Sequence, residues 1–338
     1  MKQNQNTIKT GQVAGDILVV LPKFIGDAVN CTSALQLIKK QYPTKNIIVF
    51  VRPYLAEMFK RETDYSVIVD ERFDNTKPIS MWAQAQILKR ANIGLAIIIR
   101  NSLSEAILCF LANIKYRIGY AKNGRSPLLT NKLKLDENHH YQFRYCRLVN
   151  ESHGNPFSSI PKTKLITKLS MLVPKQSEKA IGVYFGGQNK GFRHYPTPLA
   201  LTALSAIAKQ LDCQFYIFGD NSELADAQQL QTQLNQQQVN ATLLAGKTSI
   251  TTMIDAIAQM DLLVTIDSGP MHIAAALGVP FVAIVGLGTS PWSVVAPKVS
   301  NSIALVANGE QLLENEIINE ITPTNISDAA LTLLLARS

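Results

Sequence analysis

Cysteine is scarce in this 338-residue chain: Cys31, Cys109, Cys146 and Cys213 lie far apart and form no C-x-x-C pair. That spacing argues against a thiolate metal site or a redox pair and for isolated buried thiols. No run reaches the roughly 18 apolar residues of a membrane span. The first fifteen residues, MKQNQNTIKTGQVAG, hold no apolar stretch of the kind found in a secretory signal and read as a frayed leader. A cytoplasmic protein with reduced thiols is the expectation. Aromatic residues are only 7% of the chain and no recognised nucleic-acid-binding motif interleaves with the basic ones, so nucleic acid is not expected as a partner. There is no G-x-G-x-x-G, no G-x-S-x-G and no H-E-x-x-H, and the glycine-rich loop that begins at Gly186 lacks the G-K-[ST] ending of a Walker loop. Dinucleotide-dependent oxidoreductases, P-loop hydrolases, serine hydrolases and zinc peptidases therefore gain no support. The D-x-D carboxylate pair that often holds a diphosphate through a divalent ion is also missing, so no metal cofactor is expected.

The chain is too long for one ordinary core and fits two domains. At 46% hydrophobic residues, each half can bury one. The net charge of +8 is unevenly spread. Residues 1–170 carry 25 Lys/Arg against 12 Asp/Glu, a net of +13, and residues 171–338 carry 8 against 13, a net of −5. A basic first half suits an anionic partner, such as a phosphorylated glycan or an acidic membrane surface, or is simply a solvated basic face.

Short β-rich runs alternate with longer helical patterns, the mark of parallel sheets built from βαβ units. In the first half the runs are 16–21, 46–51, 66–70 and 95–100, with helices expected near 27–41, 54–61, 80–92 and 102–112. Residues 151–179, with Gly154, Pro156, Pro161 and Pro174, read as a linker. The cycle restarts with strands at 180–185, 213–218, 241–244, 262–266, 281–285 and 302–306. Helices are expected at 198–210, 222–236, 250–259, 270–277 and, last, 325–336. Two successive α/β sheets suggest two facing Rossmann-like domains, 1–165 and 166–338, with a ligand cleft outside the carboxyl ends of the strands. The final helix could pack back toward the first domain.

Four segments could carry chemistry. Pro22-Lys23-Phe24-Ile25-Gly26-Asp27-Ala28 follows the first strand. Gly26 would let backbone approach a ligand, and Asp27 would either face the cleft or satisfy helix amides. Gly186-Gly187-Gln188-Asn189-Lys190-Gly191-Phe192-Arg193 is a glycine-rich basic loop suited to phosphate oxygens, or a plain surface loop. In Asp267-Ser268-Gly269-Pro270-Met271-His272 a strand gives way to a helix whose first amides could bind an anion. Pro270 suits the first turn, Asp267 could accept from sugar hydroxyls, and His272 is either a ligand contact or a core histidine. Glu223 follows the second strand of the second half, where ribose hydroxyls are often read.

In combination these motifs resemble glycosyltransferase family 9, the lipopolysaccharide heptosyltransferase family. LPKFIGDAVNCTSALQLIKKQYP is similar to its opening strand, G-D turn and first helix, and IGYAKNGRSPLLT to its R-I-G-Y and G-R segment. TIDSGPMHIAAALGVPFVAIVG resembles its most diagnostic stretch, D-[ST]-G-x-x-H followed by A-A-A-L-x-x-P. The resemblance implies a GT-B fold and inverting, metal-independent transfer of heptose from ADP-heptose to the inner core of lipopolysaccharide. The partners it implies are a nucleotide-sugar and an anionic, lipid-linked glycan acceptor, with peripheral contact at the cytoplasmic face of the inner membrane. Carried over by position, Asp27 would be the general base, and Gly26, Arg117 and Arg125 would face the acceptor. Gly187, Lys190, Arg193, Glu223, Thr248, Asp267, Ser268, Gly269 and His272 would serve the donor: Arg193 its phosphates, Glu223 its ribose, Thr248 the adenine and Asp267 the sugar. The sequence departs from the family at Tyr195, where a Trp is usual, and at Gly286-Leu287-Gly288-Thr289-Ser290-Pro291, where G-P-[ST]-x-P is usual. The second departure leaves open another nucleotide-sugar donor, used for surface polysaccharide. A non-catalytic glycan-binding homologue is the remaining alternative.

Overall fold

A computed structural model describes residues 7–174, 178–288, 290–309, 314 and 316–336. The chain divides into two compact units, Met1–Ile166 and Thr167–Ser338.

In the first unit, strands and helices alternate: β1 (Asp16–Val20), α1 (Ile25–Gln41), β2 (Ile47–Val51), α2 (Ala56–Lys60), β3 (Tyr65–Val69), α3 (Met81–Arg90), β4 (Ile93–Ile98), α4 (Leu103–Leu111), β5 (Tyr116–Tyr120), β6 (Asn131–Leu133) and α5 (Tyr141–Ser152). The strands form one parallel sheet in the order β3-β2-β1-β4-β5-β6. Every residue of β2 is buried, as are four of the five in β1. Helices cover both faces of such a sheet, which is why these strands are continuous apolar runs rather than alternating ones. Leu18, Val20, Ile48, Phe50, Ala96 and Ile98 pack with Leu88, Ala106 and Leu108 of α3 and α4 on one side, while α5 packs on α1.

The second unit repeats the scheme: β7 (Lys179–Tyr184), α6 (Thr197–Ala208), β8 (Cys213–Ile217), α7 (Leu224–Gln236), β9 (Ala241–Leu243), α8 (Ile250–Ile257), β10 (Leu262–Ile266), α9 (Gly269–Leu277), β11 (Phe281–Val285), α10 (Trp292–Val295), β12 (Ser302–Val306) and α11 (Pro323–Leu335). Its parallel sheet runs β12-β11-β10-β7-β8-β9, the order of the first sheet read from the other edge. In each, strand order reverses beside the unit's first strand, between β1 and β4 and between β7 and β10. Loops diverge there and leave a crevice for ligands. The α/β architecture is that of the GT-B class.

The structure corrects the sequence expectations in places. β5, β6 and α5 fill a region to which no elements were assigned, and α10 was not foreseen. The leader is not frayed over 7–15. Ile8 and Val13 are buried, and the Ile8 amide donates to Ser152 O at 3.0 Å. The last helix packs on α6 and on β10, β11 and β12 of its own unit. Tyr195 is fully buried and donates to Ile321 O at 2.7 Å. The phenol thus anchors the segment that leads into α11.

Candidate active site

In the first unit, Asp27 is the third residue of α1, whose cap position, Phe24, supplies no side-chain hydrogen bond. A carboxylate in the first turn is favoured by the helix dipole, as Lys39 and Lys40 are in the last. Asp27 does more than serve the helix. Its Oδ1 accepts from the hydroxyl of Tyr145 on α5 at 3.0 Å. Burial raises its pKa above the ordinary carboxylate value, while the Tyr145 hydrogen bond and the positive charge of Arg144 pull it part of the way back. A carboxylate made more basic by its surroundings, yet only half-buried, is suited to take a proton. Gly26 beside it is buried. Tyr145 was not foreseen, because its helix, YQFRYCRLVNES, carries too many polar residues to stand out as an apolar stripe.

Arg125 is turned inward, which corrects the expectation that it faces the acceptor, while Arg117 is half-buried and bonded in part to backbone. Arg125 is 0% exposed. Its Nε donates to Tyr120 O at 2.8 Å, Nη1 to Arg100 O at 2.6 Å and Nη2 to Asn101 Oδ1 at 2.6 Å. Such a planar fork, spent on backbone and loop acceptors, fixes the loop that follows β4. Arg117 donates Nε to Leu128 O at 2.6 Å and Nη1 to Ile114 O, tying β5 to its neighbouring turns.

In the second unit the strand ends carry different chemistry. Gly186 (φ 69°) and Gly191 (φ 57°) turn the loop after β7 through left-handed backbone that disfavours side chains. A Cβ on Gly187 would come within 2.7 Å of the Asp226 carboxylate, so the loop lies tight against the start of α7. Lys190 Nζ lies 3.1 Å from Glu223 Oε1 and 3.8 Å from Asp220 Oδ2. Glu223 is 2% exposed, and its carboxylate also accepts from Tyr184 Oη at 2.8 Å and the Asp220 amide at 2.9 Å. In this arrangement Glu223 organises Lys190 and the turn at Asp220. Thr248 is half-buried in the loop before α8.

Across the crevice from that loop, Asp267 follows β10. Burial raises its pKa, and the charge of Arg193 opposes the rise. This places the two side chains of the proposed donor set in one electrostatic field. Ser268 is the N-cap of α9 but makes no side-chain cap hydrogen bond. Its hydroxyl donates back to Ile266 O at 3.3 Å. Although Ser268 stands at the cap position, α9 therefore begins at Gly269 with no side chain from its cap residue over its first turn. Such a terminus suits an anion by geometry and dipole. His272, on the next turn, is buried at 9% exposure. A Cβ on Gly288 would lie 3.3 Å from Asp267 Oδ2, so the unusual 286–291 segment borders this carboxylate. Among the described residues no group of three or more His, Cys, Asp or Glu could hold a metal ion, and no helix is long and apolar enough to cross a membrane.

The protein family model described as "Glycosyltransferase family 9 (heptosyltransferase)" matches residues 81–316. The chain is 27% identical over 326 residues to lipooligosaccharide heptosyltransferase 2 of Haemophilus ducreyi, covering 87% of this chain and 89% of that one. The solved structure of Escherichia coli ADP-heptose lipopolysaccharide heptosyltransferase II superposes with a TM-score of 0.81 at 22% identity, covering 95% and 99% of the two chains. An E. coli heptosyltransferase with ADP-2-deoxy-2-fluoro heptose gives 0.71 at 17% identity, covering 93% and 98%. The family match takes in more than two-thirds of the chain, including the 267–272 motif and its uncapped helix. The chain belongs to glycosyltransferase family 9 and is a glycosyltransferase.

Proposed function

We propose that this enzyme transfers heptose from ADP-heptose to the anionic inner core of lipopolysaccharide, with inversion and without a metal ion, at the cytoplasmic face of the inner membrane. The observation that carries the reading is the start of α9, where the N-cap hydroxyl turns away and Asp267 stands beside the open turn. That terminus suits the donor diphosphate. Lys190 and Arg193 add positive charge from the loop after β7, and Asp267 accepts from hydroxyls of the donor sugar.

In this reading the chemistry is a direct displacement. The acceptor hydroxyl attacks the anomeric carbon from the face opposite the diphosphate, and Asp27 takes the hydroxyl proton. The new C–O bond forms as the bond to the β-phosphate oxygen breaks, and ADP departs with the electron pair. Charge grows on that phosphate in the transition state, so amide and guanidinium donors already in place stabilise it more than the ground state. Thr248 and Glu223 belong to the nucleoside end in this reading, Thr248 near the adenine and Glu223 holding the turn that the ribose would meet.

The test is thermal stabilisation by ADP, UDP, GDP and CDP without added metal, followed by transfer assays with ADP-heptose in EDTA. A ligand at 100 times its Kd adds about 2.7 kcal/mol of stability. Selective stabilisation by ADP and transfer in EDTA are expected. Preference for another nucleotide would overturn the donor, and loss of transfer in EDTA would overturn the metal-free mechanism. The 286–291 segment, which borders Asp267 through Gly288, gives a specific reason to include other nucleotide-sugars in the panel.

A further inference from the structure

The strand ends of the first unit hold a charge cluster that the mechanism above does not use. Arg52 follows β2, Asp70 and Arg72 follow β3, and Arg100 and Glu105 follow β4. The backbone brings them together: the Asp70 amide donates to Val51 O at 2.7 Å, and the Arg100 amide to Val20 O at 3.3 Å. The cluster therefore flanks the end of β1, from which the Asp27 loop departs.

Three guanidiniums face two carboxylates here, and their donors are unequally satisfied. Arg72 grips Asp70 with two bonds, Nε–Oδ1 at 2.7 Å and Nη2–Oδ2 at 2.9 Å. It also reaches Glu105 Oε2 at 2.6 Å and Ser104 Oγ at 3.0 Å. Arg100 Nη1 takes the other oxygen of Glu105 at 2.9 Å. Both carboxylates are thus engaged before Arg52 is considered. Its Nη1 is buried and makes no hydrogen bond among the described residues, and its nearest carboxylate oxygen, Asp70 Oδ2, lies 3.5 Å away. Burial and the charge of Arg100 push the Arg52 pKa down to about 10. A network built only for stability would match its charges, because an uncompensated buried cation is costly. This one carries a surplus of one positive charge, and a third anion would remove the cost.

The surroundings narrow the ligand. Arg52 stacks on the half-exposed Phe73 ring, and the exposed Tyr54 lies within the field of both Arg52 and Arg100. Arg125 holds the backbone carbonyl of Arg100 and the side chain of Asn101, which fixes the loop carrying the second cation. A guanidinium with open in-plane donors, backed by an aromatic ring, recognises a phosphate or carboxylate. We propose that Arg52 and Arg100 form an oxyanion site that binds a phosphate or carboxylate group of the glycan acceptor. The inference rests on the heptosyltransferase reading for the identity of that glycan, and it replaces the buried Arg125 as a cationic contact of the acceptor.

The test is calorimetric titration of the full-length protein, without donor, with a deacylated inner-core oligosaccharide. Three forms are compared: intact, phosphate-stripped, and with carboxylates reduced to alcohols. The wild type is expected to bind the intact form on the order of tenfold more tightly than one of the two modified forms. Whichever modification weakens binding identifies the anion. Arg52→Gln should abolish that difference while leaving the Kd for ADP unchanged. Should Arg52→Gln fail to fold, Arg52→Lys, which keeps the charge but loses the open Nη1, and Arg100→Gln carry the same comparison. Equal binding of all three forms by the wild type, no measurable binding, or a difference that survives in the folded variants would overturn the site. A wild type that discriminates between the forms but transfers no heptose would leave the oxyanion site standing and remove the proposed reaction instead.

Discussion

The two units share one sheet order and one reversal point, yet their strand ends have opposite chemistry. In the first unit the loops after β1 to β4 present a carboxylate of raised basicity and an over-charged arginine cluster. In the second, the loops after β7 and β10 present left-handed glycines, Lys190, and a helix whose cap hydroxyl turns away. The sheet determines where ligands can bind, and the residues just beyond its carboxyl edge determine what binds. In the proposed reading the first unit moves a proton and meets an anion through side chains, and the second meets a diphosphate largely through backbone.

The largest effect that would test this division is on the proton-transfer side. Asp27→Asn should lower kcat by about 10²–10⁴-fold while leaving the Kd for ADP unchanged, since ADP is assigned to the other unit. The same variant should melt no lower than wild type. Burial raises the Asp27 pKa, so above that pKa the folded protein bears the cost of a poorly solvated charge, and Asn removes it. Full activity in Asp27→Asn would exclude Asp27 as the base.

Next in size is the buried fork. Arg125→Leu leaves the carbonyls of Tyr120 and Arg100 and the side chain of Asn101 without their donors. At about 1–3 kcal/mol per buried unsatisfied group, a loss of about 3 kcal/mol or more is expected in chemical unfolding of the first unit. A folded, stable Arg125→Leu with weakened acceptor binding would return Arg125 to the acceptor site.

The diphosphate assignment is tested by Ser268→Asp, which places a carboxylate at the start of α9. It should weaken ADP binding by roughly tenfold, about 1.4 kcal/mol, with no loss of fold, because an acidic N-cap favours the helix itself. Unchanged ADP affinity would show that the diphosphate lies elsewhere.

Much of this was legible in the sequence, and unevenly so between the halves. Strands buried on both faces leave unbroken apolar runs, so β1, β2, β4, β10 and β11 were read within a residue or two. Asp27, Lys190, Arg193 and Asp267 stood out as candidates because glycine and charge at a strand-to-helix turn suit ligand contact, a pattern that helix capping or a plain surface loop shares. The strands β5 and β6 were missed because YRIGY and NKL are short and partly polar. With them went the helix that carries Tyr145. The Arg52–Asp70–Arg72–Arg100–Glu105 cluster was invisible for a different reason. Its members are scattered over 54 residues, and only the pairing of β2 with β3 and of β1 with β4 makes them neighbours. Arg125 shows the converse error, since a motif position says which residue matters but not whether it faces ligand or core.

The smallest effect concerns Tyr145, and it separates a tuned base from an incidental one. Its hydroxyl donates to Asp27 Oδ1 and stabilises the ionised carboxylate, so it holds the Asp27 pKa below where burial alone would place it. Tyr145→Phe removes only that oxygen. The Asp27 pKa should then rise further, and the acid limb of the kcat/KM profile should move to higher pH, with the plateau on the basic side largely kept. A structural role for the hydroxyl would instead lower the plateau or the melting temperature and leave the limb in place. Combined with Asp27→Asn, the tyrosine substitution should have no further effect on rate, since its action on catalysis runs through the carboxylate it touches.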